Sequence, residues 1–284
     1  MIKFGPAGVS PNMKSLGVKK SPDAPEILHK LGLNAFEYQC GNGVRITDAI
    51  AAELKTNCEK FGVFPSVHSP YYISLSSIEE EKRDKSVDYI LQTAAAAKKM
   101  GAQRIVVHSG SCAKISREEA LALAKDTIKK AVAALDSAGL SDIIICPETM
   151  GKINQLGTLS EVMELCLVDD RLLPCVDFGH LNARTLGGIK TPEDYEDILD
   201  EIENKLGFDR LKYMHCHFSK IEYTAGGEKR HLTFDDETFG PDFTPLAELL
   251  YKKGLCPTII CESSDVMDRD ALIMKKTYES FAEA

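Results

Sequence analysis

Tryptophan is absent from this chain of 284 residues, and no stretch approaches the roughly 20 apolar residues that a membrane-spanning helix needs. The amino terminus, MIKFGPAGVS, lacks the apolar segment of a signal peptide. The nine cysteines include no Cys-x-x-Cys pair, and their odd number and irregular spacing argue against a disulfide framework. These absences argue against secretion and membrane insertion and predict a protein of the reducing cytoplasm.

An excess of positive charge is also missing. The 34 Lys and Arg residues against 43 Asp and Glu give a formal net charge of −9. Proteins that bind nucleic acid through bulk charge are basic. A polyanionic partner would therefore have to be held locally, by a basic rim or by bound metal ions, which the formal charge omits.

The chain does contain a repeated unit, in which short apolar runs alternate with longer amphipathic stretches such as Ile78–Met100 and Ser116–Ala138. The eight runs with strand character are Ile2–Phe4, Ala35–Tyr38, Phe64–Val67, Arg104–Val107, Ile143–Cys146, Pro174–Val176, Leu211–His217 and Thr258–Cys261. This pattern predicts one α/β domain over residues 1–284, a closed (β/α)8 TIM barrel. An open doubly wound sheet is less favoured, because Gly5–Gly8 is not the G-x-G-x-x-G loop such a sheet normally carries.

Helix boundaries can be read between these runs. Ser116 and Glu119 form a capping-box pattern, and Pro192 follows Thr191 at a predicted helix start. Glycines that would end helices come shortly before strands, at Gly32, Gly62, Gly101, Gly139, Gly207 and Gly254. The longest connection, Ser219–Phe243, is of a length that usually indicates a functional or disordered loop.

Six consecutive predicted strands carry a histidine or a carboxylate at or just beyond the carboxyl end. These residues are His68, His108, Glu148, Asp177, His215 and Glu262, and His180 and His231 follow on later loops. The carboxyl ends of barrel strands converge on the face that carries active sites, so we expect these side chains to meet there with a metal centre.

The prediction of a metal centre depends on all eight of these residues occurring together. Taken singly, a strand-end histidine is usually an ordinary half-buried side chain, and a strand-end carboxylate often caps the next helix. Burying several carboxylates and imidazoles together without metal is costly through desolvation and like-charge repulsion. The mixed ligand set suits Zn²⁺ or Mn²⁺.

Several segments together resemble the deoxyribonuclease IV (endonuclease IV) family of the xylose-isomerase-like barrels. They are VHSPYYISLSS (67–77), VVHSGS (106–111), ICPETMGK (145–152), CVDFGHLNA (175–183), MHCHFSK (214–220), RH (230–231) and IICES (259–263). The resemblance implies an apurinic/apyrimidinic endonuclease of base-excision repair that uses zinc ions to cleave duplex DNA on the 5′ side of an abasic site. Family members usually act as monomers, so no protein partner is implied.

The resemblance also implies a ligand set. His68 and His108 would hold a first zinc; Glu148 would bridge it to a second zinc, completed by Asp177, His215 and Glu262; His180 and His231 would hold a third. Glu148, Asp177 and Glu262 would be the catalytic carboxylates. The cofactor would be two or three zinc ions, with manganese as the alternative metal.

At the third zinc, Lys229 stands where the family has an aspartate two residues before His231. Glu228 could serve instead if the loop carries a one-residue shift. His217, on the same face of its strand as His215, is the other candidate substitute.

The substrate contacts that the resemblance implies are Tyr71 and Tyr72, which match the family's minor-groove wedge, together with Arg45 and Lys220. Two tyrosines at such a position could equally be core residues. The loop after the second strand, QCGNGVRI (39–46), is basic only at Arg45, which weakens the expected grip on duplex DNA.

A second enzyme class of the same superfamily fits part of this set. Sugar isomerases and keto-sugar 3-epimerases hold one Mn²⁺ or Mg²⁺ with two Glu, one Asp and one His, as Glu148, Asp177, His215 and Glu262 would. Their carboxylates also move a proton at the sugar carbon. His68, His108 and His231 favour the nuclease, since a single-ion enzyme does not need them, and the absence of tryptophan slightly weakens a sugar-stacking pocket.

Overall fold

Eight parallel strands form a nearly closed barrel in the computed structural model, which describes residues 1–112 and 114–282. The barrel strands are β1 (Lys3–Pro6), β2 (Ala35–Gln39), β3 (Phe64–His68), β4 (Arg104–His108), β5 (Ile144–Glu148), β6 (Cys175–Asp177), β7 (His215–Phe218) and β10 (Thr258–Cys261). Two further strands, β8 (Ile221–Thr224) and β9 (Gly227–His231), pair as an antiparallel hairpin. The predicted (β/α)8 barrel is thereby confirmed.

Helices surround the barrel. They are α1 (Pro11–Ser15), a 3-10 turn (Ser21–Asp23), α2 (Ala24–Leu31), α3 (Asp48–Phe61), α4 (Glu80–Met100), α5 (Arg117–Ser137), α6 (Leu159–Cys166), α7 (Phe178–Arg184), α8 (Pro192–Leu206), α9 (Phe208–Lys212), α10 (Phe243–Lys252) and α11 (Met267–Ser280). The predicted boundaries hold at α5, where Ser116 and Glu119 form the reciprocal capping box, and at α8, which begins at Pro192. Within the described residues, no helix combines the length and the apolar character needed to cross a membrane.

The barrel closes where β1 meets β2. The Gly8 amide donates to the Glu37 carbonyl at 2.8 Å, and the Asn34 amide donates to the Phe4 carbonyl at 3.1 Å. A Cβ atom on Gly5 would lie 1.8 Å from the Ala35 carbonyl oxygen, so only glycine permits this approach of the two strands. The remaining strands follow in the order β10, β7, β6, β5, β4 and β3 around the barrel.

Apolar side chains of the described residues form two separate cores. The larger lies between the outer faces of the strands and the helices, and includes the fully buried Leu28, Ile105 and Phe218. A small cluster of Val106, Cys146, Leu173 and Cys175 fills part of the barrel interior. Much of the remaining interior is polar, since Glu37, His215 and His217 are also fully buried there.

The structure differs from the sequence prediction around the seventh barrel strand. Leu211 lies in α9 and is fully buried, and the strand begins only at His215. A short helix that buries one leucine has the same local apolar pattern as the start of a strand, which explains the error. The long connection Ser219–Phe243 contains the ordered β8–β9 hairpin.

Candidate metal centre

The first group of metal-ligand-type side chains lies at the carboxyl ends of β3, β4 and β5. His68 Nε2 and His108 Nε2 lie 3.4 and 3.3 Å from the same oxygen, Oε2 of Glu148. The strand register pairs His108 with Glu148, which places the two side chains side by side. His68 and Glu148 are buried, and their ligand atoms and that of His108 could reach a single ion.

The second group shares Glu148 with the first. It consists of Glu148, Asp177, His217 and Glu262 from β5, β6, β7 and the end of β10. His217 Nδ1 lies 3.0 Å from Glu148 Oε1 and 3.4 Å from Glu262 Oε2. Glu148 therefore offers one oxygen to each group, as a bridging carboxylate does.

His215, which the sequence placed in this second group, lies elsewhere. Both His215 and His217 point into the barrel, but the register pairs Asp177 with His217 and Cys175 with His215. Residues two positions apart along a strand are separated by about 6.6 Å. His215 therefore lies one layer deeper in the barrel than His217, and its Nε2 is 3.0 Å from Glu37 Oε2. The position assigned to His215 is therefore occupied by His217, the residue considered above only as a substitute at the third zinc.

His215 does adjoin Cys175 and His217 in a deeper group. Burial raises the pKa of the Cys175 thiol well above its usual range, which keeps the sulfur protonated. In this group His215 and His217 both turn Nε2 toward the Glu37 carboxylate, at 3.0 and 3.1 Å.

The third group consists of His180, Glu228 and His231. His180 Nε2 lies 3.4 Å from Glu228 Oε2, and His231 Nε2 lies 3.9 Å from Glu228 Oε1. Residues three apart on a regular strand face opposite sides. The hairpin register shifts between Glu222, which pairs with Arg230, and Tyr223, which pairs with Glu228, so Lys229 is an extra residue in β9. This bulge turns Glu228 and His231 to the same side.

The loop after β5 holds the hairpin in place. The Glu228 amide donates to the Gly151 carbonyl at 3.1 Å, and the Ile153 amide donates to the Gly226 carbonyl at 3.1 Å. A Cβ atom on Gly151 would lie 2.6 Å from Glu228 Cβ and 2.9 Å from His180 Cδ2. Glycine at 151 therefore leaves the space in which the third group assembles.

Hydrogen bonds to the protein orient three of the imidazoles. Nδ1 of His68 donates to the Ser69 carbonyl at 2.8 Å, and Nδ1 of His180 donates to the Thr149 carbonyl at 3.0 Å. Nδ1 of His231 hydrogen-bonds with Ser219 Oγ at 2.8 Å. In each case Nε2 is left facing a carboxylate of the centre, which is the arrangement of a metal-binding histidine.

The electrostatics of the centre follow from burial and proximity. Burial by itself lowers the pKa of His68, but the adjacent Glu148 carboxylate brings it to about 9. Burial dominates at His108, whose pKa falls to about 4, and at Asp177, whose pKa rises to about 6. At Glu262 burial would raise the pKa, but His217 outweighs it and brings the value to about 2.

The donor atoms fit a cation. Glu148 Oε2 and Asp177 Oδ2 are buried and have no hydrogen-bond partner among the described residues. Buried carboxylate oxygens nearly always have a partner, and here they point toward imidazole nitrogens. Oxygen and nitrogen ligands converging in this way suit Zn²⁺ or Mn²⁺.

A cavity of about 380 Å³ opens above the three groups. Of the four predicted substrate contacts, the described residues lining it include Tyr71 but not Tyr72, Arg45 or Lys220. The Tyr72 ring packs on Tyr89 with centroids 4.8 Å apart, and Arg45 is exposed. Lys220 Nζ donates to the Phe234 and Asp236 carbonyls and so holds the loop after the hairpin.

Sequence reasoning did not single out Glu37, Lys152 or Gln155. Lys152 and Gln155 line the cavity from the loop after β5. Glu37 is a charged residue inside an apolar strand at an inward position, and that pattern could have identified it. Lys152 closes the ICPETMGK segment and could have been found there.

Comparisons with known proteins agree with this architecture. The family model described as "Xylose isomerase-like TIM barrel" matches residues 25–281. An uncharacterized protein of Methanocaldococcus jannaschii is 34% identical over 98% of this chain and 97% of its own. A probable endonuclease 4 of Staphylococcus carnosus is 28% identical over 60% of this chain and 58% of its own length. The resemblance drawn from the sequence motifs is thus confirmed.

Solved structures share the fold at low sequence identity. Endonuclease IV from Thermus thermophilus aligns with a TM-score of 0.69 at 19% identity and covers 99% of both chains. A D-tagatose 3-epimerase-like protein aligns with a TM-score of 0.73 at 20% identity, covering 99% of this chain and 97% of its own. The fold is therefore common to nucleases and epimerases.

Proposed function

We propose that this protein, which belongs to the xylose isomerase-like TIM barrel family, is a metal-dependent phosphodiesterase that cleaves DNA on the 5′ side of abasic sites. The observation that carries the proposal is the adjacency of three ligand groups, two of them joined by Glu148. An enzyme that uses a single ion needs only the second group. His68, His108, His180 and His231 are accounted for when two or three ions are held.

The three groups would each hold one ion, with zinc favoured by the nitrogen-rich ligand set. Metal ions held there would supply Lewis-acid polarisation of a phosphoryl oxygen and activation of water. Three divalent ions bring six positive charges against the carboxylates of Glu148, Asp177, Glu228 and Glu262. The centre would then carry about +2, which attracts a phosphate despite the total formal charge of −9.

The chain's own residues would position the substrate. Lys152 is exposed on the cavity rim, where its ammonium group can bind a phosphate that flanks the cleaved bond. Tyr71 is 55% exposed and lines the same cavity, so its ring can contact the gap that an abasic nucleotide leaves in the stack. With few cations at the rim, binding should be weak and strongly dependent on salt.

The test is a cleavage assay on a labelled duplex that contains one tetrahydrofuran abasic analogue. Purified protein loaded with zinc or manganese should cut on the 5′ side of the analogue, and a chelator should stop the reaction. An undamaged duplex of the same sequence is the control. An intact abasic strand after incubation with fully metal-loaded protein would refute the proposal.

A keto-sugar 3-epimerase is the second candidate. The group of Glu148, Asp177, His217 and Glu262 matches the single-ion ligand set of such enzymes, and Glu148 and Glu262 could move the proton at the sugar carbon. Elemental analysis that finds one manganese or magnesium ion per chain and no zinc would favour this function, and interconversion of ketoses would establish it.

A further inference from the structure

Glu37 is a fully buried carboxylate in the barrel interior, below the proposed metal centre. Four polar side chains surround it; Ser66, Gln39 and His215 hydrogen-bond to it, whereas His217 Nε2 approaches it without a hydrogen bond. Ser66 Oγ donates to Oε2 at 2.8 Å and Gln39 Nε2 donates to Oε1 at 3.2 Å. His215 Nε2 lies 3.0 Å from Oε2, and His217 Nε2 lies 3.1 Å from Oε1. An ionised carboxylate has acceptor sites for about four donors, so Glu37 can satisfy all of them.

His217 differs from the other histidines of the centre in the nitrogen it presents. His68, His180 and His231 bond to the protein through Nδ1 and turn Nε2 toward the carboxylates. His217 turns Nδ1 toward Glu148 and Glu262, and its Nε2 faces Glu37. A neutral imidazole has one N–H group and one lone pair. Carboxylates lie beside both nitrogens of His217, but an ion held by the second group would take the lone pair of Nδ1 and leave the N–H on Nε2, toward Glu37.

We propose that Glu37 is a positioning residue that fixes the tautomer and ring orientation of His217, so that Nδ1 is the metal-binding atom of this histidine. The inference rests on the metal centre of the proposed function and extends it to a residue outside the ligand groups. Carboxylates that accept the second N–H of a metal-binding histidine orient the ring and raise the basicity of the ligand nitrogen.

His215 supports this arrangement. Its Nε2 faces the same carboxylate, and its Nδ1 is buried with no hydrogen-bond partner among the described residues. This is the pattern of a neutral ring whose proton is on Nε2, since a bare lone pair is less costly to bury than an N–H group. Glu37 thus turns one oxygen toward each of two imidazoles whose planes are 74° apart, and an amide at this position would face one of them with its NH2 group.

The test combines one spectroscopic and one binding measurement. Protein labelled with ¹⁵N on histidine and loaded with ¹¹³Cd should show cadmium–nitrogen coupling to Nδ1 of His217 and to Nε2 of His68. The Glu37→Gln variant should bind the ion of the second group 10–100-fold more weakly in a chelator competition. Ser66→Ala is the matched control, because it removes a donor to Glu37 and leaves both histidine contacts in place; its metal affinity should equal that of the wild type.

Glu37→Asp provides a second variant that keeps the interior charge but shortens the carboxylate, and we expect a smaller loss of affinity. Coupling of cadmium to Nε2 of His217 would overturn the inference, as would wild-type affinity in folded Glu37→Gln. If neither variant folds, the coupling in the wild type decides alone. If cadmium couples to Nδ1 of His217 but the abasic duplex is not cut, the nuclease function is refuted and this inference stands. If the duplex is cut but cadmium couples to Nε2 of His217, the nuclease function stands and this inference is refuted.

Discussion

Replacing Glu228 by Gln tests whether the β9 bulge has created a third metal site. Glu228 is the carboxylate of the third group, and its two oxygens face His180 Nε2 at 3.4 Å and His231 Nε2 at 3.9 Å. The amide keeps the size of the side chain but is a poor ligand and carries no charge. Two imidazoles would remain, fewer than the three protein ligands that catalytic zinc sites usually have.

The expected loss can be estimated from the position of this group. Its ion would lie beside the shared centre and would stabilise charge that develops on the leaving oxygen. Removing one such electrostatic contact costs about 2.7–4 kcal/mol, or about 10²–10³ in kcat. Metal content should fall by one ion per chain while the first two groups, which do not include Glu228, keep theirs.

The assay pairs metal analysis with single-turnover cleavage of the abasic duplex. Glu222→Gln is the matched control on the same hairpin, because Glu222 binds Lys229 and Arg230 at 2.5 and 2.6 Å and belongs to none of the ligand groups found among the described residues. That variant should keep its full metal content and rate. If Glu228→Gln also retains the full complement of metal and the wild-type kcat, the role assigned to the bulge is wrong.

Three further predictions concern the same centre. Glu148→Gln should abolish cleavage and release the ion of the first group, because the amide leaves only His68 and His108 there; full activity in this variant would contradict the bridging role. Gly151→Ala should weaken the third site selectively, since a Cβ atom would lie 2.6 Å from Glu228 Cβ, and metal titration of the folded variant would detect this. Chelation should lower the melting temperature by at least about 7 °C in calorimetry. A site held at a thousandfold excess over its Kd contributes about 4 kcal/mol, and each kcal/mol is worth about 1.7 °C for a chain of this length. An unchanged melting temperature would argue against occupied sites.

Much of this architecture could be predicted because the barrel repeats one unit. Alternating strand and helix patterns predicted eight parallel strands, and the strand ends predicted where His68, His108, Glu148, Asp177 and Glu262 would meet. These inferences need only periodicity and the convergence of strand ends. They do not depend on the exact start of any strand.

The sequence did not show how deep in the barrel each strand residue lies. His215 and His217 face the same way, so periodicity could not decide between them; the register with Asp177 selects His217. Glu37 was missed because its partners come from β3 and β7, far away in the chain. Lys220 stays a predicted substrate contact, and in this structure its ammonium group donates to backbone carbonyls of its own loop.

The bulge at Lys229 also affects how related sequences should be searched. A pattern that demands an acid two residues before the histidine of the hairpin would reject this chain, although Glu228 reaches His231 and His180. Inserting one residue into a regular strand moves every later side chain to the opposite face of the sheet. A bulge absorbs the extra residue, so the side chains beyond it keep their faces. Search patterns for this ligand pair should therefore accept Glu-x-x-His as well as Asp-x-His. Sequences rejected because they lack Asp-x-His should be searched again with both patterns.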